Sequence, residues 1–522
     1  MLRIDPRDKA ALIDPLYAPS WRFAVAALAL LAVIGWGVSA YVEQLRLGLG
    51  QTGMQRPTFW GVYMVNFIFF IGISHAGTLI SAILRITGAE WRRPITRVAE
   101  AITAFALAVG TLQIIIDMGR PERLAYALLY GRLQSPILWD IVSVTVYFLG
   151  SVTYLYLPLI PDAAILRDNS PADAPAWRLK LYRLLALGWR GNREQWMRLE
   201  KAIGFMAIFI IPVAVSVHTI ISWILATTVQ PGWHSTIFGP YFVVGAIFSG
   251  IGALFLAMTA VRRVLHLEDY ITEVQYRNLG LLLIAMNAIW AYFTYAEHLG
   301  VAAGQLTEEF PVLASKLWGE FAPGFWAMVA LMGVAFWVLV VPRLLPGPVR
   351  REARLRPRYA LAALGIAPLA LLLAGAGPLP EPAPSGLVQT AGWLALGALV
   401  LVAGLGLASW LKGRAVAATV IAAACVVVGM WLERWNIIVP TMTHPRLMPY
   451  AFYTPSTTEI ALTSASIALF LLMFLVFFKL FPAVSIWEVI EGRVVEAARA
   501  QIDVPGPVAA NAPRPRRWGF KR

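Results

Sequence analysis

The stretch Gly72-Ile73-Ser74-His75-Ala76-Gly77-Thr78-Leu79-Ile80-Ser81-Ala82-Ile83-Leu84 sits inside an apolar run from 59 to 84 that is long enough to cross a bilayer. Such a run reads as a membrane helix, and its histidine is out of place in hydrocarbon. A polar group there is costly, and it usually marks a route for protons, ions or polar substrate. From Phe59 to His75 the helix advances roughly 24 Å at 1.5 Å per residue, and Asn66 falls in the outer third. Gly72, Ala76 and Gly77 let neighbouring helices approach closely.

The rest of the chain has the same character. Of 522 residues, 59% are hydrophobic and 14% charged, with a mean hydropathy of +0.68, which excludes a sizeable soluble domain. The expected fold is an all-α polytopic membrane protein with about 12 transmembrane helices. The apolar runs are 23–41, 59–84, 95–116, 137–160, 202–228, 239–261, 279–300, 323–341, 359–376, 389–411, 415–432 and 459–481. No removable signal peptide is visible, so the first run reads as a retained helix.

Charge sets the orientation. Alternate connecting segments hold 35 of the 43 Lys and Arg residues, and the intervening loops hold the other eight. The Lys/Arg-rich side faces the cytoplasm, so both termini are expected inside. The net charge of +14 is therefore an address, with lipid as its partner and no nucleic acid. A single cysteine, Cys425, leaves no ligand set for an iron–sulfur cluster or c-type haem. The six histidines show no metal cluster, and only His75 with His218 could hold a b-type haem.

Polar residues gather in a few places. Asp117-Met118-Gly119-Arg120-Pro121 closes the third run on the outer side, and Ser135-Pro136-Ile137-Leu138-Trp139-Asp140 opens the fourth on the same side. Carboxylates there can accept protons from a bound hydroxyl, with an arginine keeping one ionised. Helix capping by Asp140 and a surface Asp117–Arg120 pair are the structural alternatives. Glu100 stands about one turn inside the cytoplasmic edge, as a proton group or as a partner of Arg97 or Arg93. His218 follows a kink expected at Pro212. His234 lies on a short outer loop where an imidazole titrates near neutrality. Glu297-His298 and Glu433-Arg434 read as outer-edge ion pairs.

These runs together resemble the NrfD/polysulfide-reductase family of membrane subunits, and within it the ActC type of alternative complex III. Further support comes from Leu159-Ile160-Pro161-Asp162, Pro231-Gly232-Trp233-His234, Trp431-Leu432-Glu433-Arg434-Trp435 and Phe481-Pro482-Ala483-Val484-Ser485-Ile486-Trp487-Glu488. The resemblance implies two four-helix bundles plus peripheral helices. They would be 59–160 with 202–228, and 239–345 with 415–432. Around them lie an N-terminal segment 1–58, a basic linker 161–201, an insertion 346–414 with two spans beyond the family's ten, and a final helix and tail 459–522.

It also implies a quinol or menaquinol substrate, no haem or iron–sulfur cluster in this chain, and location in the bacterial cytoplasmic membrane. Carried over by position, Asp117 and Asp140 would be catalytic, and Asn66, Arg120 and His234 would bind quinol. His75, Glu100 and His218 would form a proton path. The implied partners are c-type cytochromes, an outer iron–sulfur/molybdopterin-like subunit and a second membrane subunit of the same family.

At two positions the chain departs from the family. Asp117 replaces a histidine, and Ile224 replaces a frequent aspartate with an alkyl chain that cannot relay a proton. A quinone-reducing anchor of a molybdenum or sulfur enzyme would use the same pocket. A secondary transporter would instead place broken helices at the midplane.

Overall fold

The computed structural model describes residues 4–228, 230–344 and 404–493. Ten of its helices are long and apolar enough to span a membrane: α1 (Trp21–Leu47), α2 (Val62–Ile86), α3 (Thr96–Asp117), α4 (Pro136–Asn169), α5 (Arg193–Ala226), α6 (Phe238–Val264), α7 (Glu273–Gly304), α8 (Ala322–Leu344), α9 (Ala415–Thr443) and α10 (Thr457–Leu480). The described residues contain no strand. The chain is thus an all-α, multi-spanning membrane protein. Of the twelve expected runs, 359–376 and most of 389–411 lie outside the described residues, as does the tail beyond 493.

Local chemistry fixes several helix starts. Ser20 and Asn192 cap α1 and α5 through their side-chain oxygens, and Pro136 opens α4 at a position where its missing N–H is harmless. Thr272–Gln275 and Ser456–Glu459 form capping boxes on α7 and α10. Helix α5 runs on through Pro212.

Helices α2, α3, α4 and α5 contact one another in a closed cycle, and so do α6, α7, α8 and α9. Helix α2 also packs on α6 and α9, and α1 pairs with α10 alongside α3. The α2–α3 contact depends on Gly77: a Cβ there would overlap the Ala99 carbonyl and the Thr103 hydroxyl. Helix α2 is accordingly the most buried span, while α1 faces outward almost entirely.

The two sets of loops meet at opposite ends. At one end Val62 N donates to Tyr453 OH (2.8 Å), Gly53 N to Glu459 Oε2 (2.7 Å) and Trp233 Nε1 to Ile437 O (3.0 Å). At the other, Arg178 reaches Leu16 O and Lys479 O, and Asp8 takes a bidentate contact from Arg493. Following the charge assignment, we term these the outer and inner ends.

Candidate functional site

The inner end is tied by buried ion pairs that sequence spacing does not reveal. Arg97 Nη1 meets Asp162 Oδ2 at 2.6 Å, with both side chains essentially inaccessible. Asp162 also accepts from the backbone N–H groups of Ile486 and Trp487 (3.1 Å each). A helical segment at 486–493 thereby closes over this end. Its Glu488 contacts Arg85 at 2.6 Å and Arg92 at 3.4 Å.

Burial alone would raise the Glu488 pKa, but Arg92, Arg85, Arg93 and Arg97 together hold it below the ordinary carboxylate value. A depressed folded-state pKa adds stability that is present above the unfolded value and lost as pH falls through the folded one. The segment should therefore stay docked at neutral pH and come loose only below the usual carboxylate range. Limited proteolysis of the tail against pH checks this. Release already near neutrality, or a Glu488→Gln variant as resistant as wild type, would contradict it.

Glu100 is buried beside this network and belongs to a different partner set. Ser81 Oγ donates to its Oε1 (3.0 Å) and also lies 3.4 Å from Tyr154 OH. The alternative pairing with Arg97 or Arg93 is not made: Arg97 is committed to Asp162, and Arg93 to Glu90 and Glu491.

At mid-depth α2 and α5 bring His75 and His218 together, both fully buried, with ring centroids 4.0 Å apart in edge-to-face contact. His75 Nδ1 lies 2.9 Å from Ile71 O, and Nε2 lies 2.5 Å from Ala214 O. A neutral imidazole has one N–H and can satisfy one carbonyl; the protonated ring satisfies both. Both His218 nitrogens are buried without a partner. No hydrogen bond therefore joins the two rings, which meet only through their edge-to-face contact. Rings in direct contact leave no space between them for a porphyrin.

At the outer end the five expected quinol-pocket residues have different surroundings. Asn66 is buried, and its amide accepts from Trp431 Nε1 (3.0 Å) and donates to Thr463 Oγ1 (2.9 Å). It thus joins α2 to α9 and α10. Asp117 ends α3 next to a chain in which Tyr63 OH donates to Gln44 Oε1 and Gln44 Nε2 to Ile116 O. Asp117 Oδ1 and Asp140 Oδ1 are both buried and unpartnered. Ser135, not Asp140, occupies the cap position of α4. Arg120 is exposed and His234 pairs with Glu309 at 3.0 Å. Among the described residues no hydrogen bond or ion pair links these five residues to one another.

A second polar group lies at the outer end of α6–α9, where the sequence suggests only edge ion pairs. A cavity of about 30 Å³ there is lined by Tyr241, Glu297, His298, Lys316, Glu433 and Asn436, together with apolar side chains. Trp290 Nε1 donates to Glu433 Oε1 (2.8 Å), and Ser235 Oγ donates to Glu297 Oε2. Lys316, on the short outer helix Phe310–Leu317, has its pKa pushed down to about 8 by burial, partly offset by Glu297. Arg434 meets Glu433 Oε2 at 2.9 Å in a charge contact without hydrogen-bond alignment, and lies over Phe242.

Comparison with known proteins places the chain. A model of the family described as "Polysulphide reductase, NrfD" matches residues 50–374. A putative membrane subunit of a dimethyl sulfoxide reductase from Halobacterium salinarum is 32% identical over 229 residues, covering 44% of this chain and 48% of its own length. A selenate reductase subunit from Mesobacillus selenatarsenatis is 27% identical over 237 residues, covering 43% and 53%. The Hdr-like menaquinol oxidoreductase integral membrane subunit of Archaeoglobus fulgidus is 23% identical over 318 residues, covering 60% and 69%. The match spans about half the length of the first two relatives.

Proposed function

Because the chain belongs to the polysulphide reductase NrfD family, we propose that it is the quinol-handling membrane subunit of a multi-subunit oxidoreductase of the alternative complex III type. Quinol or menaquinol is oxidised near the outer face and its electrons pass to an iron–sulfur subunit docked there. The observation that carries this reading is the pair of buried, unpartnered carboxylate oxygens on Asp117 and Asp140 at the outer ends of α3 and α4. Buried polar atoms ordinarily find partners, and an orphan acceptor suits a ligand hydroxyl. Each carboxylate can take a proton as the hydroxyl loses its electrons to the neighbouring subunit. Arg120 and His234 would guide the headgroup, and Asn66 would hold the helix interface that frames it.

The two closed cycles of helix contacts support reading 59–160 with 202–228, and 239–345 with 415–432, as two functional bundles. His75, His218 and Glu100 would carry protons between the inner end and the bundle interface. The protein would sit in a bacterial cytoplasmic membrane with both termini inside. Its partners would be c-type cytochromes and a second NrfD-type subunit.

A second reading, reduction of quinone with electrons from a molybdenum or sulfur enzyme, is favoured by the names of two relatives, one from a dimethyl sulfoxide reductase and one from a selenate reductase. The same carboxylates would then release protons to quinone. Purification of the intact complex with its partners tests both. Quinol-dependent reduction of an outer acceptor is the expected result, and reverse flow from a reduced substrate to quinone would select the second reading. Neither bound quinone nor turnover in either direction would overturn both.

A further inference from the structure

We infer that the inner end of α6–α8 binds the phosphate of an anionic phospholipid, held by Arg262, Arg263 and Arg343. The site lies at the opposite end of the helices from Asp117 and Asp140 and requires no quinol chemistry.

The two helix groups treat their inner arginines in opposite ways. In the first, Arg85, Arg92, Arg93 and Arg97 each meet a carboxylate of Glu488, Glu491 or Asp162. In the second, Arg262 and Arg263 stand in the last turn of α6 and Arg343 in that of α8. None of these three forms an ion pair among the described residues. The carboxylates of the α6–α7 connection, Glu268, Asp269 and Glu273, are exposed and make no ion pair either. The dipole at a helix C-terminus favours a cation there. It satisfies no N–H of the side chain.

Position brings the three guanidinium groups together on α7. Arg262 is half-buried, and its Nε is shielded from solvent with no hydrogen-bond partner. Its guanidinium carbon lies 5.8 Å from the centroid of the Tyr276 ring, within cation–π range. Tyr276 OH is fixed 2.8 Å from Thr259 Oγ1, and the phenol is within electrostatic reach of Arg263 as well. One turn further along α7 is Gly280, where an added Cβ would come within 3.3 Å of Arg343 Nη2. Residues four apart share a helix face, and these two contact points are about 6 Å apart along the axis.

The chemistry of the group selects the ligand. A guanidinium stays charged at physiological pH, so one that is half-buried without a carboxylate needs another anion. Its planar fork of N–H donors matches phosphate oxygens. The inner leaflet presents phosphate at this depth, and basic pockets between membrane helices on that side take acidic headgroups. Val264 and Leu281, which adjoin Arg263 and Gly280, are 74% and 55% exposed and leave apolar surface for acyl chains. A free phosphate ion would gain nothing from them.

The test uses the intact complex and a photoactivatable phosphatidylglycerol, with wild type, Arg262→Gln, Arg343→Gln and the double variant. Adducts should concentrate in peptides spanning 259–281 and 339–344. Unlabelled phosphatidylglycerol should remove them, whereas phosphatidylcholine and inorganic phosphate should not. Each substitution should weaken labelling about fivefold, the contribution of one basic residue beside an acidic lipid surface. Lys180→Gln with Arg183→Gln, both exposed on the basic linker, should leave it unchanged and so controls for general charge. Competition in the wild type decides the matter even if a variant fails to assemble with its partner subunits. Labelling spread evenly over the inner basic segments, or full labelling of the double variant, would overturn the proposal. So would equal competition by phosphatidylcholine, the mark of a plain lipid contact, or by inorganic phosphate, the mark of a free-anion site.

Discussion

Replacing Asp140 by asparagine should slow quinol oxidation by about a hundredfold, the usual loss when a positioned general base is removed. The exchange is isosteric, and the only described side-chain hydrogen bond involving this residue runs from Ser143 Oγ to the Asp140 backbone carbonyl. Packing and the start of α4 are therefore preserved. What is lost is the ability of a half-buried carboxylate, whose Oδ1 has no partner, to accept a proton, since an amide cannot take one. Steady-state turnover of the purified complex measures the effect. Wild-type activity in the variant would remove Asp140 from the chemistry. Asp117→Asn tests the other carboxylate in the same way.

The largest effect on stability is expected from Asp162→Ala. It strands the Arg97 guanidinium in a site with 1% exposure, and breaking a buried ion pair from one side costs about 3–5 kcal/mol. It also frees the Ile486 and Trp487 N–H groups that anchor the C-terminal segment. Thermal unfolding in detergent should shift sharply downward, and the tail should become sensitive to protease. Replacing both partners, as Asp162→Leu with Arg97→Met, should recover only the part due to the stranded charge, because the Ile486 and Trp487 N–H groups still lack their acceptor. A single variant as stable as wild type would show that the pair contributes little.

Much of the architecture is legible in the sequence because a bilayer imposes length. The ten described spans fall on expected apolar runs, and the Lys/Arg alternation matches the sorting of loops to two ends. The meeting of His75 with His218 follows from their equal depth on neighbouring helices. Pairings distant in sequence are harder to read. Asp162 on α4 finds Arg97 on α3 and then the backbone at 486–487, and nothing in local spacing encodes that contact. Glu459 is similar: it looks like a capping residue, yet its carboxylate also gathers Tyr453 OH and Gly53 N at the outer end. Glu433-Arg434 reads as a buried-edge ion pair and forms one, whereas the cavity beside it is not legible because a linear sequence cannot show walls from five helices and a loop meeting around one void.

Photolabelling the intact complex with an azido-quinone addresses the quinol site itself. The carboxylates at the outer ends of α3 and α4 predict adducts in peptides around 117–140, reduced by competing native quinol and by Asp140→Asn. Adducts confined to the inner end near Glu100, or to the α7 and α9 segments around 297 and 433, would contradict quinol binding beside Asp117 and Asp140.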